Sequence, residues 1–372
     1  MPHTILAVPL PVELYRLIIS SIDKKKDLCT LCLSSRTWYR EAAPFLYRDT
    51  FLSNTRGLLL WCKAVVERPF LGKLVQEFSI LFRQCWEGDC EIYARISQML
   101  RHLPNLQRLI LDVDDEFRID LFEVFSIFEA CPLQLARFDS RMVFSSRATV
   151  DFLIAFVKSR PNITSLSCRV QNGVPLRAFA DAEAILPNLS RLVASSNVFI
   201  ALRTNRPIQC LKIHLEEELD RVLIGLRSIN ETLTTLCVHR ENRQGPPLHG
   251  CIRRLVESVP NLRTLCIHDD SLKEPPHLED IRSSLAHSTC LENLAFNPYS
   301  PPSTHHQIPG GVSPVQFATQ VMGTCPSLCT VTLPFWDTER LIYVKTPLGD
   351  VIGRPLPKPI NRQCQSHCLD KG

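Results

Sequence analysis

The sequence is poor in features that mark several common functional classes. Glycine is sparse, with 13 residues in 372, which disfavours Gly-rich phosphate-binding loops. Neither charge dominates, because 42 basic and 38 acidic residues leave a net charge of +4, too small to predict binding to nucleic acid. No uncharged apolar run of about 18 residues occurs, so we expect no transmembrane helix. The N-terminus has no basic stretch ahead of an apolar segment, which argues against a signal peptide.

Motifs of the common enzyme classes are also missing. The Walker A phosphate loop, the H-E-x-x-H zinc-protease motif and the G-x-S-x-G nucleophile motif do not occur. A cysteine–histidine nucleophile stays open, since its partners would meet only in the folded chain. Sixteen cysteines are scattered rather than spaced as in a small secreted scaffold, which predicts reduced thiols and a cytoplasmic or nuclear protein. We expect that the chain is not an enzyme and carries no cofactor.

A short phrase, apolar-Pro-Asn-Leu, returns along the chain ahead of alternating apolar residues. It occurs at residues 103–106, 186–189 and 259–262, and weaker copies lie before, between and after these. The first apolar residues of the L-x-x-L-x-L units that these phrases open stand at positions 75, 106, 135, 163, 189, 208, 233, 262, 291 and 328, mostly 25 to 31 residues apart. This spacing is the period of leucine-rich repeats and a little above it.

Segments between these phrases carry apolar residues at helical spacing. The predicted helix faces are Ile92, Ile96, Met99, Leu100 and Leu103; Leu121, Val124, Phe125 and Phe128; Leu219, Val222, Leu223, Leu226 and Ile229; and Ile252, Leu255, Val256 and Val259. A strand–helix unit this short buries its apolar face only by stacking on its neighbours. The sequence therefore predicts an irregular α/β solenoid with a parallel concave sheet over residues 53–335. An ordinary doubly wound α/β domain is the alternative.

The N-terminal segment, residues 1–52, predicts three short helices. Pro11 suits the first position of a helix, and Leu14, Leu17 and Ile18 share one face of it. A second helix follows, and a third begins near Arg36. Such a small bundle cannot hide all of its apolar side chains, which indicates a partner protein. The alternative is a helical cap that only seals the end of the repeats.

The order of residues in this segment resembles an F-box, in its fungal version. The positions that match the family pattern are Leu10, Pro11, Glu13, Leu14, Ile18, Asp27, Leu28, Leu31, Ser35, Arg36 and Trp38. Ser34 departs from the pattern, because the family usually carries Val or Ala there. The repeats resemble the irregular leucine-rich repeats of F-box proteins over roughly residues 70–335.

This resemblance implies a function as well as a fold. It implies the substrate-recognition adaptor of an SCF-type ubiquitin ligase, in which the F-box binds Skp1, and through it cullin, while the repeats bind a target protein. The residues implied to form or support the Skp1-binding surface are Leu10, Pro11, Leu14, Ile18, Leu28, Leu31 and Trp38. The alternative is a repeat scaffold that binds proteins without leading to their degradation.

The repeat register predicts which side chains face outward from the concave sheet. The target-binding candidates on this face are Arg108, Arg137, Arg141, Arg169, Arg191, His214, His239 and His268. Arginine pairs with carboxylates and phosphates, so we expect an acidic or phosphorylated target segment. The three histidines share one register position and should stack as a ladder. The alternative is that both sets of side chains are merely solvated.

Two cysteines lie beside the predicted histidine ladder. Cys237 and Cys266 neighbour His239 and His268 in the register, and two Cys with two His are a ligand set that can hold zinc. The four residues lie on two strands with no tight C-x-x-C turn. We therefore expect no metal site.

The C-terminal segment, residues 336–372, has no repeat pattern. Pro347, Pro355, Pro357 and Pro359 interrupt it, and no periodicity is visible. We expect poor order there and assign it no function.

Overall fold

A computed structural model describes residues 11–82, 90–113, 127–128, 131, 133–176, 185–202, 206–215, 219–240, 247–269, 278–298, 312–335 and 339–355. They form two compact units, unit 1 and unit 2, divided between Met142 and Val143. In each unit strands alternate with helices, as the repeat pattern predicts. Within these ranges, no helix has both the length and the hydropathy needed to cross a membrane.

Unit 1 begins with the three predicted helices: α1 (Val12–Ser20), α2 (Lys25–Ser34) and α3 (Arg36–Arg48). Ser35 ends α2 and caps α3, because its hydroxyl accepts a hydrogen bond from the backbone N–H of Trp38. The buried centre of this helical module consists of Ile19, Leu28 and Ala42. The prediction of an N-terminal three-helix region is confirmed.

The repeats of unit 1 follow directly. Their elements are β1 (Asp49–Leu52), α4 (Thr55–Glu67), α5 (Pro69–Leu74), β2 (Glu77–Phe82), α6 (Cys90–Leu100), β3 (Arg108–Val113) and β4 (Arg137–Phe144). The strands pair in parallel and in chain order, with Glu77 opposite Arg108 and Arg108 opposite Arg137. The sheet starts at Asp49, inside the segment that the sequence assigns to the helical module.

Unit 2 continues the same alternation. Its elements are α7 (Arg147–Lys158), β5 (Ser165–Val170), β6 (Arg191–Ser195), α8 (Ser196–Leu202), β7 (Cys210–Leu215), α9 (Leu219–Ser228), β8 (Thr235–Arg240), α10 (Leu248–Ser258), β9 (Thr264–Asp269), α11 (Leu278–Leu285), β10 (Asn293–Pro298), α12 (Pro314–Thr324) and β11 (Thr330–Phe335). Strands β5 to β11 pair in parallel and in order. The predicted leucine-rich-repeat α/β fold with a parallel sheet is therefore the observed one.

Alternation along each strand decides what is buried. Leu236 and Val238 of β8 lie in the core. His239, which points to the other face of the strand, is only half-buried. The leading residue of each repeat is also buried, as at Leu233 and Leu262. Backbone bonds repeat with the same period: the N–H groups of Thr234 and Thr235 both donate to the carbonyl of Gln209. Each repeat is thus held in register by its neighbour.

The predicted helix faces lie in the core where the structure describes them. All members of the faces that begin at Ile92, Leu219 and Ile252 are buried. Of the face that begins at Leu121, only Phe128 is described, and it is buried; the other three residues lie outside the described ranges.

The C-terminal segment differs from the expectation of poor order. Strands β12 (Glu339–Lys345) and β13 (Val351–Pro355) lie within it, and β12 pairs antiparallel with β11. Tyr343 is buried, and a Cβ on Gly353 would stand 2.9 Å from its ring. Apolar residues on both faces of β12 hide the strand period, which explains the wrong prediction for residues 339–355. Residues 356–372 lie outside the described ranges.

Candidate interaction surfaces

Helix α1 presents apolar side chains on the side away from the module's core. Only Ile19 of this helix is buried, whereas Val12, Leu14, Leu17 and Ile18 are exposed, Leu17 by 65%. Exposed apolar residues three and four apart form one stripe on a helix. We call Leu14, Leu17 and Ile18 the α1 stripe.

The residues implied to bind Skp1 divide into three groups. Pro11, just before α1, and Leu14 and Ile18, within it, are exposed. Leu31 and Trp38 are partly buried against the module's core, and Leu28 is buried within it. Leu10 lies outside the described residues.

The side chains beneath the α1 stripe hold the helix in place. The Tyr15 ring meets the Trp38 ring edge-on, with centroids 4.5 Å apart. Nε of Arg16 donates to Oε2 of Glu41 at 3.0 Å, which joins α1 to α3. The stripe therefore sits on a helix fixed from its inner side. Leu17 was not among the implied contacts, although its spacing from Leu14 already placed it on this face.

The outward face of the unit 1 sheet carries arginines and acids together. We call Glu77, Arg108, Asp112, Arg137, Asp139 and Arg141 the open face of unit 1. Arg108 is 2.8 Å from Asp139 through Nη2 and 3.4 Å from Glu77 through Nη1. Arg141 Nη1 donates to Asp112 Oδ2 at 2.9 Å.

These ion pairs change the expected character of that face. The sequence predicts a basic surface, but Arg108 and Arg141 already have carboxylate partners on neighbouring strands. Parallel register places Glu77 and Asp139 on either side of Arg108, which inspection of single repeats does not reveal. An external acid would have to compete with these internal acids. Arg137 begins β4 and is exposed.

The outward face of the unit 2 sheet is different in chemistry. We call Arg169, Arg191, Lys212, His214, Cys237, His239, Cys266 and His268 the open face of unit 2. His214, His239 and His268 stand directly opposite one another on β7, β8 and β9, as the register predicts. Nδ1 of His239 lies 3.0 Å from Nδ1 of His214, and the His239 and His268 ring centroids are 6.0 Å apart.

Burial keeps His214, the first histidine of this ladder, neutral. It lowers the pKa of His214 to about 3, and the nearby positive charge of Arg169 adds to the effect. Arg169 lies on β5 and Arg191 starts β6, opposite Cys210. His214 is therefore a neutral imidazole beside the ring of His239.

Two thiols lie under this ladder. Cys237 and Cys266 are paired on β8 and β9, and only 2% and 1% of their surfaces are exposed, although their register points outward. Sγ of Cys266 is 3.2 Å from Nε2 of His268. The hydrogen bond from Cys266 lowers the pKa of the Cys237 thiol well below its usual range, against the opposing effect of burial, and His268 lowers it further.

Comparison with known proteins finds similar solved structures but shows no family. No family model matches the chain, and no curated protein matches it significantly. The fold is similar to that of the leucine-rich repeat-containing protein LegL7 from Legionella pneumophila, with a TM-score of 0.42 and 14% identity over 82% of this chain and 85% of that one. It is similar to that of a Bacteroides fragilis protein with a TM-score of 0.44 and 16% identity over 71% of this chain and 77% of that one. It is also similar to a chain in the complex of Rad7 and Elc1 in yeast, with a TM-score of 0.43 and 15% identity over 86% of this chain and 87% of that one. The repeat period and the parallel strand pairing of the chain itself define a leucine-rich-repeat α/β fold.

Proposed function

We propose that the chain is the substrate-recognition adaptor of an SCF-type ubiquitin ligase. The helical module binds Skp1, and through it cullin, and the repeats bind the target protein. In the cytoplasm or nucleus, the chain holds the target protein close to the ligase and orients it. The catalytic chemistry belongs to the ligase. The observation that carries this proposal is the α1 stripe, which adds a physical surface to the F-box resemblance.

The burial within the helical module supports a partner at this stripe. Ile19, Leu28 and Ala42 form a core of their own, with Tyr15, Leu31 and Trp38 packed on it. Leu14, Leu17 and Ile18 are therefore not needed to close the module and remain available to another protein. Burial of one such side chain stabilises a complex by about 1.5–3 kcal/mol, so several together can hold a stable interface.

The two open faces support target binding by the repeats. Their side chains present arginines, acids and imidazoles on neighbouring strands, which is the kind of polar surface that reads an extended segment. We propose Arg108, Arg137, Arg141, Arg169, Arg191, His214, His239 and His268 as target contacts. We propose an acidic or phosphorylated segment as the ligand of these arginines, because guanidinium groups pair with carboxylates and phosphates.

Binding to Skp1 tests the first half of the proposal. The full chain carrying Leu17→Asp should bind purified Skp1 at least about 10-fold more weakly, because a charge replaces a buried leucine. Ile224→Asp is the matched control, since Ile224 is 56% exposed on α9 and lies in unit 2. Equal binding by the two variants, or no binding by the unaltered chain, contradicts the proposal.

Target capture tests the second half. Proteins enriched by the chain in cells with a blocked proteasome should be lost with Arg169→Glu and kept with Leu17→Asp. Levels of the same proteins should rise in cells that carry Leu17→Asp in place of the unaltered chain. Unchanged levels would favour a scaffold that binds its targets without delivering them for degradation.

A further inference from the structure

We propose that Cys237, Cys266 and His268 form a zinc site on the open face of unit 2, with the fourth metal position left for a water or another exogenous ligand. The three ligand atoms, two thiol sulfurs and one imidazole nitrogen, all lie within 4.8 Å of one another. The sequence argued against such a site because it lacks a tight C-x-x-C turn. The pairing of β8 with β9 brings the three ligand atoms together, as such a turn would have done.

The register explains why the ligands meet. Cys237 stands opposite Cys266, and His239 opposite His268, on the parallel strands β8 and β9. Residues 266 and 268 are two apart on one strand and so project from the same face. A tetrahedral zinc with Zn–S bonds of about 2.3 Å holds its two sulfurs about 3.8 Å apart, which neighbouring parallel strands about 4.8 Å apart can provide after small side-chain rotations.

The ligand types select the metal. Two thiolates and one imidazole suit Zn²⁺, whereas Ca²⁺ and Mg²⁺ require oxygen ligands, and no carboxylate belongs to this trio. Both thiols are almost completely buried, so they are shielded from bulk solvent, and the half-buried His268 lies at the entrance. With Zn²⁺ bound, two thiolates balance the charge of the ion, which removes the cost of burying it.

The surroundings leave room for a fourth ligand. Ala295 stands opposite Cys266 on β10, and its methyl group is the smallest side chain at this register position of β7 to β10. Nδ1 of His239 is turned towards His214 at 3.0 Å, so His239 lies beside the trio without joining it. Three protein ligands and one open position are the arrangement of zinc sites that accept a further ligand.

Cobalt titration of the full chain tests the site. The chain is purified in a reducing buffer, stripped of metal and titrated with Co²⁺ as a spectroscopic substitute for Zn²⁺. We expect one equivalent to produce the visible bands of tetrahedral cobalt together with a thiolate-to-cobalt charge-transfer band, and one equivalent of Zn²⁺ to abolish both.

Variants assign the ligands. His268→Gln and Cys237→Ser should each weaken Zn²⁺ binding by more than about 100-fold, since even groups that merely orient a ligand are worth about 10–100-fold. The matched controls are His214→Gln, from the same ladder, and Cys210→Ser, from the same face of β7; both should bind within about threefold of the unaltered chain. Thermal unfolding of the metal-free variants checks that each one is folded.

Several results would overturn the proposal. These are octahedral cobalt bands, the absence of stoichiometric binding by the folded chain, or equal affinities of His268→Gln and His214→Gln. A disulfide between Cys237 and Cys266 in protein kept under reducing conditions, detected by mass spectrometry, would likewise replace the zinc site with a redox pair. Because Skp1 binding depends on α1, loss of the zinc site leaves the adaptor proposal untouched.

Discussion

The helical module and the repeats bury their side chains in different ways. The module closes around Ile19, Leu28 and Ala42 and leaves the α1 stripe in solvent. In the repeats, alternate residues of the described parallel strands are buried, and residues such as Leu236 and Leu265 are fully enclosed. The repeats thus obtain their core from neighbours in the chain, whereas the module keeps exposed apolar side chains on α1.

Ion pairs give the largest expected contrast between the two regions. Arg240 and Asp269 pair in the repeats at 2.9 Å with 8% and 0% of their side chains exposed, and Arg16 and Glu41 pair in the module with 67% and 10% exposed. Asp269→Ala should lower the free energy of unfolding by about 3–5 kcal/mol, because it leaves a buried guanidinium without its carboxylate. Glu41→Ala should cost at most about 1 kcal/mol, since water solvates Arg16. Urea denaturation followed by circular dichroism measures both, and equal losses would break the contrast.

Apolar truncation sharpens the same comparison. Leu265→Ala should lower the free energy of unfolding by about 2–5 kcal/mol, because the enclosed site on β9 cannot collapse around the lost methyl groups. Leu17→Ala should change it by no more than about 0.5 kcal/mol, as expected for an exposed position. The same denaturation measurement applies. A large loss of stability at Leu17 would show that the α1 stripe packs within the chain, which would remove the basis for a partner there.

Helix caps provide the smallest expected effect and a test of local stability. Ser35 caps α3 of the module and Ser313 caps α12 of the repeats, each through a hydroxyl that accepts a backbone N–H bond. Ser35→Ala and Ser313→Ala should each cost about 1 kcal/mol. Amide hydrogen exchange should show faster opening of α3 in the first variant and of α12 in the second. Equal effects on both helices from one substitution would mean that the two regions unfold together.

Much of the fold followed from local patterns. The period of the apolar-Pro-Asn-Leu phrase located strands at β3, β6 and β9, because each copy ends in residues that alternate in burial. Helical spacing located the buried faces of α6, α9 and α10 for the same reason. Strands β12 and β13 escaped prediction, since both faces of β12 carry apolar residues and its partner is fixed by pairing with β11. The ion pairs of the unit 1 open face were not predicted either, because they join residues 29 or 31 positions apart in the chain and depend on strand register.

The sequence by itself determined the repeat, the helical module and the residues of the α1 stripe, because periodicity and helix signals act within a few neighbouring residues. Only the tertiary structure decided which charges and ligands meet: Arg108 with Asp139, Arg240 with Asp269, and Cys237 with Cys266 and His268. Parallel register sets these contacts, and register depends on how each whole repeat packs on the next.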